Sequence, residues 1–151
     1  MPATLEARRM RGDDPVARSL LTMIEEEFTP DHGPPQPGSR FTVAPVELCP
    51  PGGTYVALVE DGSPVAGGGV RPLEGPIGEV KRMYVVPGRR GHGLGRRLLA
   101  EIESAARDMG YEGLRLDTTG GLSRLYLSAG YAEIPDYNGN PYATFWGEKA
   151  L

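Results

Sequence analysis

Apolar and polar positions change rhythm several times along the chain, and each rhythm predicts an element. Asp13-Asp14-Pro15 reads as a helix start, with an acidic cap followed by proline in the first turn. Val16, Leu20, Met23, Ile24 and Phe28 then recur at helical spacing. Ahead of this helix, Thr4 to Arg11 is expected as a first strand. Thr29 to Ser39 holds four prolines and two glycines and reads as an irregular connection. Phe41 to Leu48 has no dominant rhythm, and Pro50-Pro51-Gly52-Gly53 breaks the chain again.

A strand-rich stretch follows. Thr54 to Val59 is a short β-type run, Asp61-Gly62 is a hairpin turn signal, and Pro64 to Val70 is the returning strand, softened by Gly67, Gly68 and Gly69. Leu73 to Gly78 reads as a turn and Glu79 to Val86 as the next strand. Leu94, Leu98, Leu99, Ile102, Ala106 and Met109 form the apolar stripe of a second helix, capped at Gly110. Leu114 to Thr118 is a strand, Leu122 to Ala129 a short helix ending at Gly130, and Tyr131 to Ile134 and Ala143 to Glu148 are the last strands. The order β-α-loop-β-β-β-α-β-α-β-β predicts a mixed α/β sheet with helices on both faces. A length of 151 residues fits one domain spanning 1–151.

Composition narrows the function classes. The net charge is −4, which argues against nucleic-acid or anionic-membrane partners. One Trp and three Phe offer little for stacking on bases. No stretch approaches the roughly 18 apolar residues of a membrane span, and no leader pattern is visible. The single cysteine, Cys49, forms no internal disulfide and gives no metal spacing, so a reducing, cytoplasmic setting and no metal are expected. Charge is unevenly spread: Val80 to Ala100 carries six cations and no carboxylate. A basic, glycine-containing segment in an acidic chain suggests a local anion site; its bland alternative is a solvated charge run.

That segment contains Arg90-Gly91-His92-Gly93-Leu94-Gly95, between a strand and a helix. Glycines let an anion approach main-chain N–H groups, and the first helical turn leaves its own N–H groups unpaired. Flanking arginines add charge, so a pyrophosphate suits the segment. The dinucleotide pattern fails because Arg96 stands where a glycine is needed, and the P-loop pattern fails because no Gly-Lys-Ser/Thr follows. Arg90, Gly93 and Gly95 satisfy the remaining pattern, Arg/Gln-x-x-Gly-x-Gly/Ala.

GEVKRMYVVPGRRGHGLGRRLL resembles the acyl-CoA-binding core of GNAT-type N-acetyltransferases, and LYLSAGY, with Tyr126 and Gly130-Tyr131, resembles that family's late helix and following strand. The likeness runs from about Thr54 to Tyr131. It implies a twisted mixed sheet in which two parallel strands splay apart around the pantetheine arm of acetyl-CoA. By the same resemblance, main-chain groups of the Met83-Tyr84-Val85 strand would bond the pantetheine amides. The N–H groups of Arg90, Gly91, His92, Gly93, Leu94, Gly95 and Arg96 would hold the pyrophosphate, and Tyr126 would sit near the thioester sulfur. Many members carry Asn seven residues before that tyrosine; here Thr119 stands in its place.

The implied activity is acetyl transfer to a primary amine, on a small molecule or a protein, by direct attack in a ternary complex. The alternative is an acyl-CoA-binding sensor or partner subunit without catalysis. For the enzyme, Val85 N–H is the expected oxyanion donor and Tyr126 the expected acid toward the leaving thiolate. Glu79 is the expected base, by its register with a glutamate of the histone-acetyltransferase branch. Its bland alternative is a solvated strand-edge carboxylate paired with Lys81 or Arg71. His92 is expected as a loop residue near phosphate, and His32 without a role. Asp117 either caps a turn or faces the acceptor. Glu25, Glu26, Glu27 and Asp31, with Tyr137, Asn138, Asn140 and Tyr142, are candidates for the acceptor wall; solvated charges and turn aromatics are the alternatives. A homodimer is compatible with the resemblance, with the C-terminal strands as its pairing edge.

Overall fold

The computed structural model describes residues 4–32, 43–119 and 121–151. The chain runs β1 (Leu5–Met10), α1 (Pro15–His32), a 3₁₀ turn (Pro45–Leu48), β2 (Thr54–Glu60), β3 (Ser63–Glu74), β4 (Ile77–Val85), α2 (Leu94–Asp108), β5 (Gly113–Thr118), α3 (Ser123–Ser128), β6 (Ala132–Glu133) and β7 (Phe145–Ala150). The strands form one mixed sheet in the order β1-β2-β3-β4-β5-β7-β6. Adjacent strands are antiparallel except β4 and β5, which are parallel.

Local chemistry explains the boundaries. Asp14 caps α1: its Oδ1 accepts the Val16 N–H at 2.9 Å, leaving Pro15 at the position that needs no donor. The helix runs through Thr29 and Pro30 to His32, where an irregular connection was expected. Pro30 costs only one donor near the end of the helix. The rest of that connection, with Phe41, lies outside the described residues, as does the His32 side chain. Asp61 and Gly62, at φ 48° and 84°, make the tight β2–β3 turn. The next turn is shorter than expected: β3 continues to Glu74 and β4 begins at Ile77.

Two apolar layers cover the sheet. On one face α2 and α3 bury Leu94, Leu98, Leu99, Ile102, Ala105, Ala106 and Tyr126 against Val56, Leu58, Val70, Val80, Leu114 and Leu116. On the other, Ala17, Leu20, Leu21 and Ile24 of α1 and Leu48 pack on Tyr55, Ala57, Val59 and Tyr84. β2 alternates between the layers residue by residue, which explains why the whole strand is apolar. The β3 glycines make room more than they soften. A side chain at Gly67 would meet the Tyr55 Oη at 2.1 Å.

Of the C-terminal strands expected as a pairing edge, β6 takes the rim of the sheet. β7 lies inside the sheet, between β5 and β6, and the edge itself is the two-residue β6. So short an edge offers little backbone to a partner strand.

The Tyr55 hydroxyl is buried with no hydrogen-bond partner among the described residues, and burial pushes its phenol up from the ordinary value. Tyr55→Phe therefore removes a desolvated donor and leaves the packing in place. The variant is expected to gain about 1 kcal/mol, a rise in Tm of roughly 2–4 °C by thermal unfolding; a fall in Tm would show that the hydroxyl is satisfied.

Candidate active site

The site begins where two strands part. β4 and β5 pair only through Ile77–Gly113, Gly78–Leu114 and Glu79–Arg115. Beyond those pairs β4 runs on to Val85 and β5 to Thr118, so a wedge opens between them. The Val86 N–H donates to Val65 O of β3 at 3.0 Å. N–H directions alternate along a strand, so the Val85 and Met83 N–H groups point to the opposite edge, into the wedge. The Val85 carbonyl on that edge accepts the Arg90 Nε at 2.8 Å.

A bulge sits in the middle of β4. Gly67 pairs with Tyr84 and Gly69 with Lys81, so one residue of β3, Gly68, opposes two of β4, Arg82 and Met83. Arg82, inside the bulge, has φ 60°, a left-handed conformation that residues other than glycine rarely adopt. The bulge resets the alternation. Val80 faces the α2 layer before it, and Met83 and Val85 face that layer after it. Tyr84 thereby belongs to the α1 side, with its hydroxyl donating to Glu27 Oε1 at 3.0 Å and its N–H on the β3 edge. Tyr84, expected with Met83 and Val85 at the cofactor, stands between them on the strand and sends its side chain to the α1 side while theirs face the α2 layer.

Beyond the wedge lies the glycine segment. Gly91 and Gly93 both have φ 81°, which only glycine adopts without strain, and Gly93 is the residue from which α2 departs. The first helical bond of α2 runs from Arg97 N to Gly93 O, so the N–H groups of Leu94, Gly95 and Arg96 are left outside the helical ladder. A side chain at Gly95 would meet Leu125 of α3 at 3.4 Å, so the third glycine lets the two helices approach. Leu94 sends its side chain into the core, and His92 is exposed.

The arginines behave differently from the expectation of free flanking charge. Arg89 pairs with Glu60, Arg97 with Glu101, and Arg90 with Glu27 at 2.8 Å; Arg96 bonds the Ser128 hydroxyl. The anion cradle is therefore chiefly backbone N–H groups and the helix dipole.

Tyr126 comes from α3 into the same apolar layer as Met83 and Val85, edge-on to the Tyr131 ring at 6.0 Å. Its hydroxyl has no hydrogen-bond partner among the described residues. Burial, and secondarily the charge of Asp117, push its phenol well above the ordinary value, so it stays protonated through the neutral range. Thr119 is half-buried beyond β5, and its carbonyl accepts the Thr118 hydroxyl at 3.3 Å.

On the opposite face the wedge is lined by a closed set of charges. Glu79 is 1% exposed, not solvated at an edge as its bland alternative supposed. Its Oε1 accepts Arg71 Nε at 2.9 Å, its Oε2 accepts the Tyr137 hydroxyl at 2.5 Å, and Lys81 Nζ stands 3.7 Å from Oε2. Lys81 reaches on to Asp117 Oδ1 at 3.1 Å, while Asn138 Nδ2 and Asn140 Nδ2 donate to Asp117 Oδ2 at 2.6 and 3.2 Å. Trp146 Nε1 donates to Asn138 Oδ1 at 3.0 Å. Arg71 also pairs with Glu47 of the 3₁₀ turn.

Tyr137, Asn138 and Asn140 are thus fastened over the wedge, whereas Tyr142 is exposed. Glu27 serves Arg90 and Tyr84, and Glu25 and Glu26 lie on exposed positions of α1. Asp31 has no described side chain. Among the described residues no group of three or more His, Cys, Asp or Glu is placed to hold a metal. The charge closure and the place of Arg82 carried no signal in the sequence, because both depend on the bulge.

Comparison with known proteins decides the family. The profile of the acetyltransferase (GNAT) family matches residues 20–131. The chain belongs to the GNAT family. It is similar to the uncharacterized N-acetyltransferase YjgM of Escherichia coli, 32% identical over 140 residues, 83% of this chain and 79% of that protein. The IAA acetyltransferase of Azospirillum brasilense is 32% identical over 150 residues, 92% of this chain and 95% of that one. Among solved structures, a candidate acyl-CoA N-acyltransferase from Klebsiella pneumoniae aligns with TM-score 0.72 and 25% identity over 98% of both chains. The GNAT chain is accordingly an acyl-CoA-dependent N-acetyltransferase, and its open mixed sheet is the acyl-CoA N-acyltransferase fold. No described helix is long and apolar enough to cross a membrane.

Burial alone would lift the Asp117 carboxyl, but the Lys81 ammonium and the two Asn amides hold it below its ordinary value of 3.8. A carboxyl lowered in the folded state stabilises the fold above its unfolded pKa, and that stability is lost as the pH falls through the lower folded value. Asp117→Asn is expected to lower Tm by about 5–10 °C at neutral pH, for a cost of roughly 2–4 kcal/mol. The gap to wild type should close progressively below about pH 4; a gap independent of pH in thermal unfolding would contradict this account.

Proposed function

We propose that the wedge between β4 and β5 takes the pantetheine arm of acetyl-CoA, and that an amine attacks the thioester there directly. The observation that carries this reading is the early end of β4–β5 pairing, which leaves Val85 and Met83 N–H groups facing an opening. The residues fit the group: strand donors for the amides, and the N–H groups of Arg90 to Arg96 at the start of α2 for the pyrophosphate. Acetyl-CoA supplies the activated acyl group.

This chain's residues then have separable tasks. Val85 N–H donates to the acyl oxygen as charge develops on it; one such donor is worth about 10²- to 10³-fold in rate. Tyr126 holds a proton next to the leaving sulfur. Its raised phenol is a weaker acid than a thiol of pKa about 8.5, so it stabilises the departing thiolate chiefly by donating a hydrogen bond. Thr119 offers a hydroxyl where many family members have an amide. Glu79 acts differently from the base expected for it. Both its oxygens are already accepting hydrogen bonds, so it positions Arg71 and Tyr137 at the apex of the wedge. Deprotonation of the amine, only about one part in 2,500 neutral at pH 7 for a pKa of about 10.4, falls to solvent in the wedge. The compartment follows the cysteine argument, a reducing cytoplasm, and a homodimer remains compatible with this reading.

Tyr126→Phe is expected to lower kcat at least tenfold with little change in KM for acetyl-CoA, followed by thiol release from acetyl-CoA with a mixed amine panel. Full turnover would remove Tyr126 from the chemistry. Glu79→Gln is expected to reduce Tm by roughly 5 °C or more, while the acidic limb of its pH–rate profile stays where the wild type has it. Loss of that limb would restore Glu79 as the base.

A further inference from the structure

Arg82 stands apart from the other arginines described around the site. Arg71, Arg89, Arg90 and Arg97 each pair with a carboxylate, and Arg96 bonds a hydroxyl. Arg82 is half-buried and makes no hydrogen bond or ion pair among the described residues. Burial dominates its surroundings and pulls its guanidinium below the usual value, whereas Arg71 and Arg90 are raised by their carboxylates. Its planar fork carries five donors, and none of them is spent on a described residue.

The position is specific. Arg82 occupies the bulge of β4 at φ 60°, a strained place to keep a long side chain, and strain of this kind collects at binding sites. Its guanidinium lies within electrostatic reach of Glu25 on α1, Glu47 at the 3₁₀ turn, Arg71 on β3 and Asp117 on β5, which sets it on the α1 side, across the sheet from the glycine cradle. The neighbouring acids do not satisfy it. Glu47 is taken by Arg71, and Asp117 by Lys81, Asn138 and Asn140. Two residues, Met83 and Tyr84, separate Arg82 from Val85, about 10 Å of strand.

We propose that Arg82 is a specificity-determining residue that binds a carboxylate of the acceptor, so that the amine acetylated at the wedge belongs to a small amino acid. A guanidinium fork takes a carboxylate through two parallel hydrogen bonds, and a desolvated guanidinium gains more from that pair than an exposed one. The acceptor's carboxylate is then fixed on the α1 side while its amino group reaches the edge of Val85. Acid and amine are joined by a few bonds in such a molecule, which a decarboxylated amine or an amino-acid amide cannot reproduce. The inference rests on the acyl-transfer reading and adds the acceptor class to it.

The test pairs each acceptor with its carboxylate-free counterpart. The probes are the twenty common amino acids, their amides and their decarboxylated amines, assayed with acetyl-CoA by thiol release and by thermal shift of the CoA-bound protein. At least one amino acid should exceed its amide and its amine tenfold or more in kcat/KM, or alone raise the Tm of the CoA-bound protein. Arg82→Asn, chosen because Asn tolerates a left-handed backbone, should raise KM for that amino acid at least tenfold and collapse the preference. The variant's own Tm rise with CoA reports that it is folded and cofactor-competent. A second substitution, Arg82→Lys, keeps the charge and loses the fork, and should fall between the two. The proposal is overturned if carboxylate-free amines are used as well as amino acids, if Arg82→Asn keeps the preference, or if no amino acid is acetylated or bound. Any of these results with CoA still binding leaves the acetyltransferase reading standing; failure of CoA to bind overturns both.

Discussion

Parallel strands hold together by evenly spaced slanted bonds, and β4 and β5 stop making them after Glu79 and Arg115. Everything functional in this molecule depends on that early parting. Strand backbone that leaves a ladder inside a core must find other partners, because a buried unpaired N–H costs about as much as a lost hydrogen bond. The fold leaves the Val85 and Met83 donors at an opening, the place the proposed reading gives to the pantetheine arm. The three-pair contact below the opening is sealed by buried charge on one side and by the α2–α3 layer on the other, so the wedge has a floor that does not close.

The two sides of the wedge do different work because the β4 bulge changes the parity of the strand. Below it, Glu79 and Lys81 point toward α1 and enter the polar set with Arg71, Asp117 and Tyr137. Above it, Met83 and Val85 turn to the apolar side shared with Tyr126. One extra residue thus separates a charged face of the strand from an apolar one. The segment's arginines support that division by pairing with Glu27, Glu60 and Glu101 instead of standing free. These exposed pairs are each worth little in stability; what they fix is the posture of the loop.

Much of the architecture was legible in the sequence for simple reasons. The stripe from Leu94 to Ala106 gave α2, the Asp14-Pro15 start gave α1, and Asp61-Gly62 gave the hairpin. The order of elements and the glycine cradle followed from local chemistry and family likeness together. What stayed hidden was tertiary. Pairing of Glu79 with Arg71 or Lys81 was legible, but its burial and its bond from Tyr137 were not, because nothing local announces a side chain from beyond β6. The bulge at Arg82 was hidden as well, because a bulge at a non-glycine residue leaves no mark in composition. The cationic run looked free because two of its acid partners, Glu27 and Glu60, lie on α1 and β2, and the third, Glu101, stands just past the end of the run, one turn along α2 from Arg97. Pro30 argued for an end to α1 that the last turn of the helix did not require.

The place of β7 in the sheet has a consequence for how the protein comes into being. β5 is synthesised well before its neighbour: Thr118 leaves the ribosome ahead of Phe145, its eventual pairing partner. Until that later segment arrives, β5 shows an unpaired rim, Asp117 lacks Asn138 and Asn140, and Glu103 on α2 lacks the Lys149 ammonium that binds it at 3.0 Å. Pairings this far apart in sequence form slowly and leave sticky intermediates behind them. A nascent chain stalled between the two strands would expose the flank of its own future active site, which makes this interval the one in which a chaperone has most to protect.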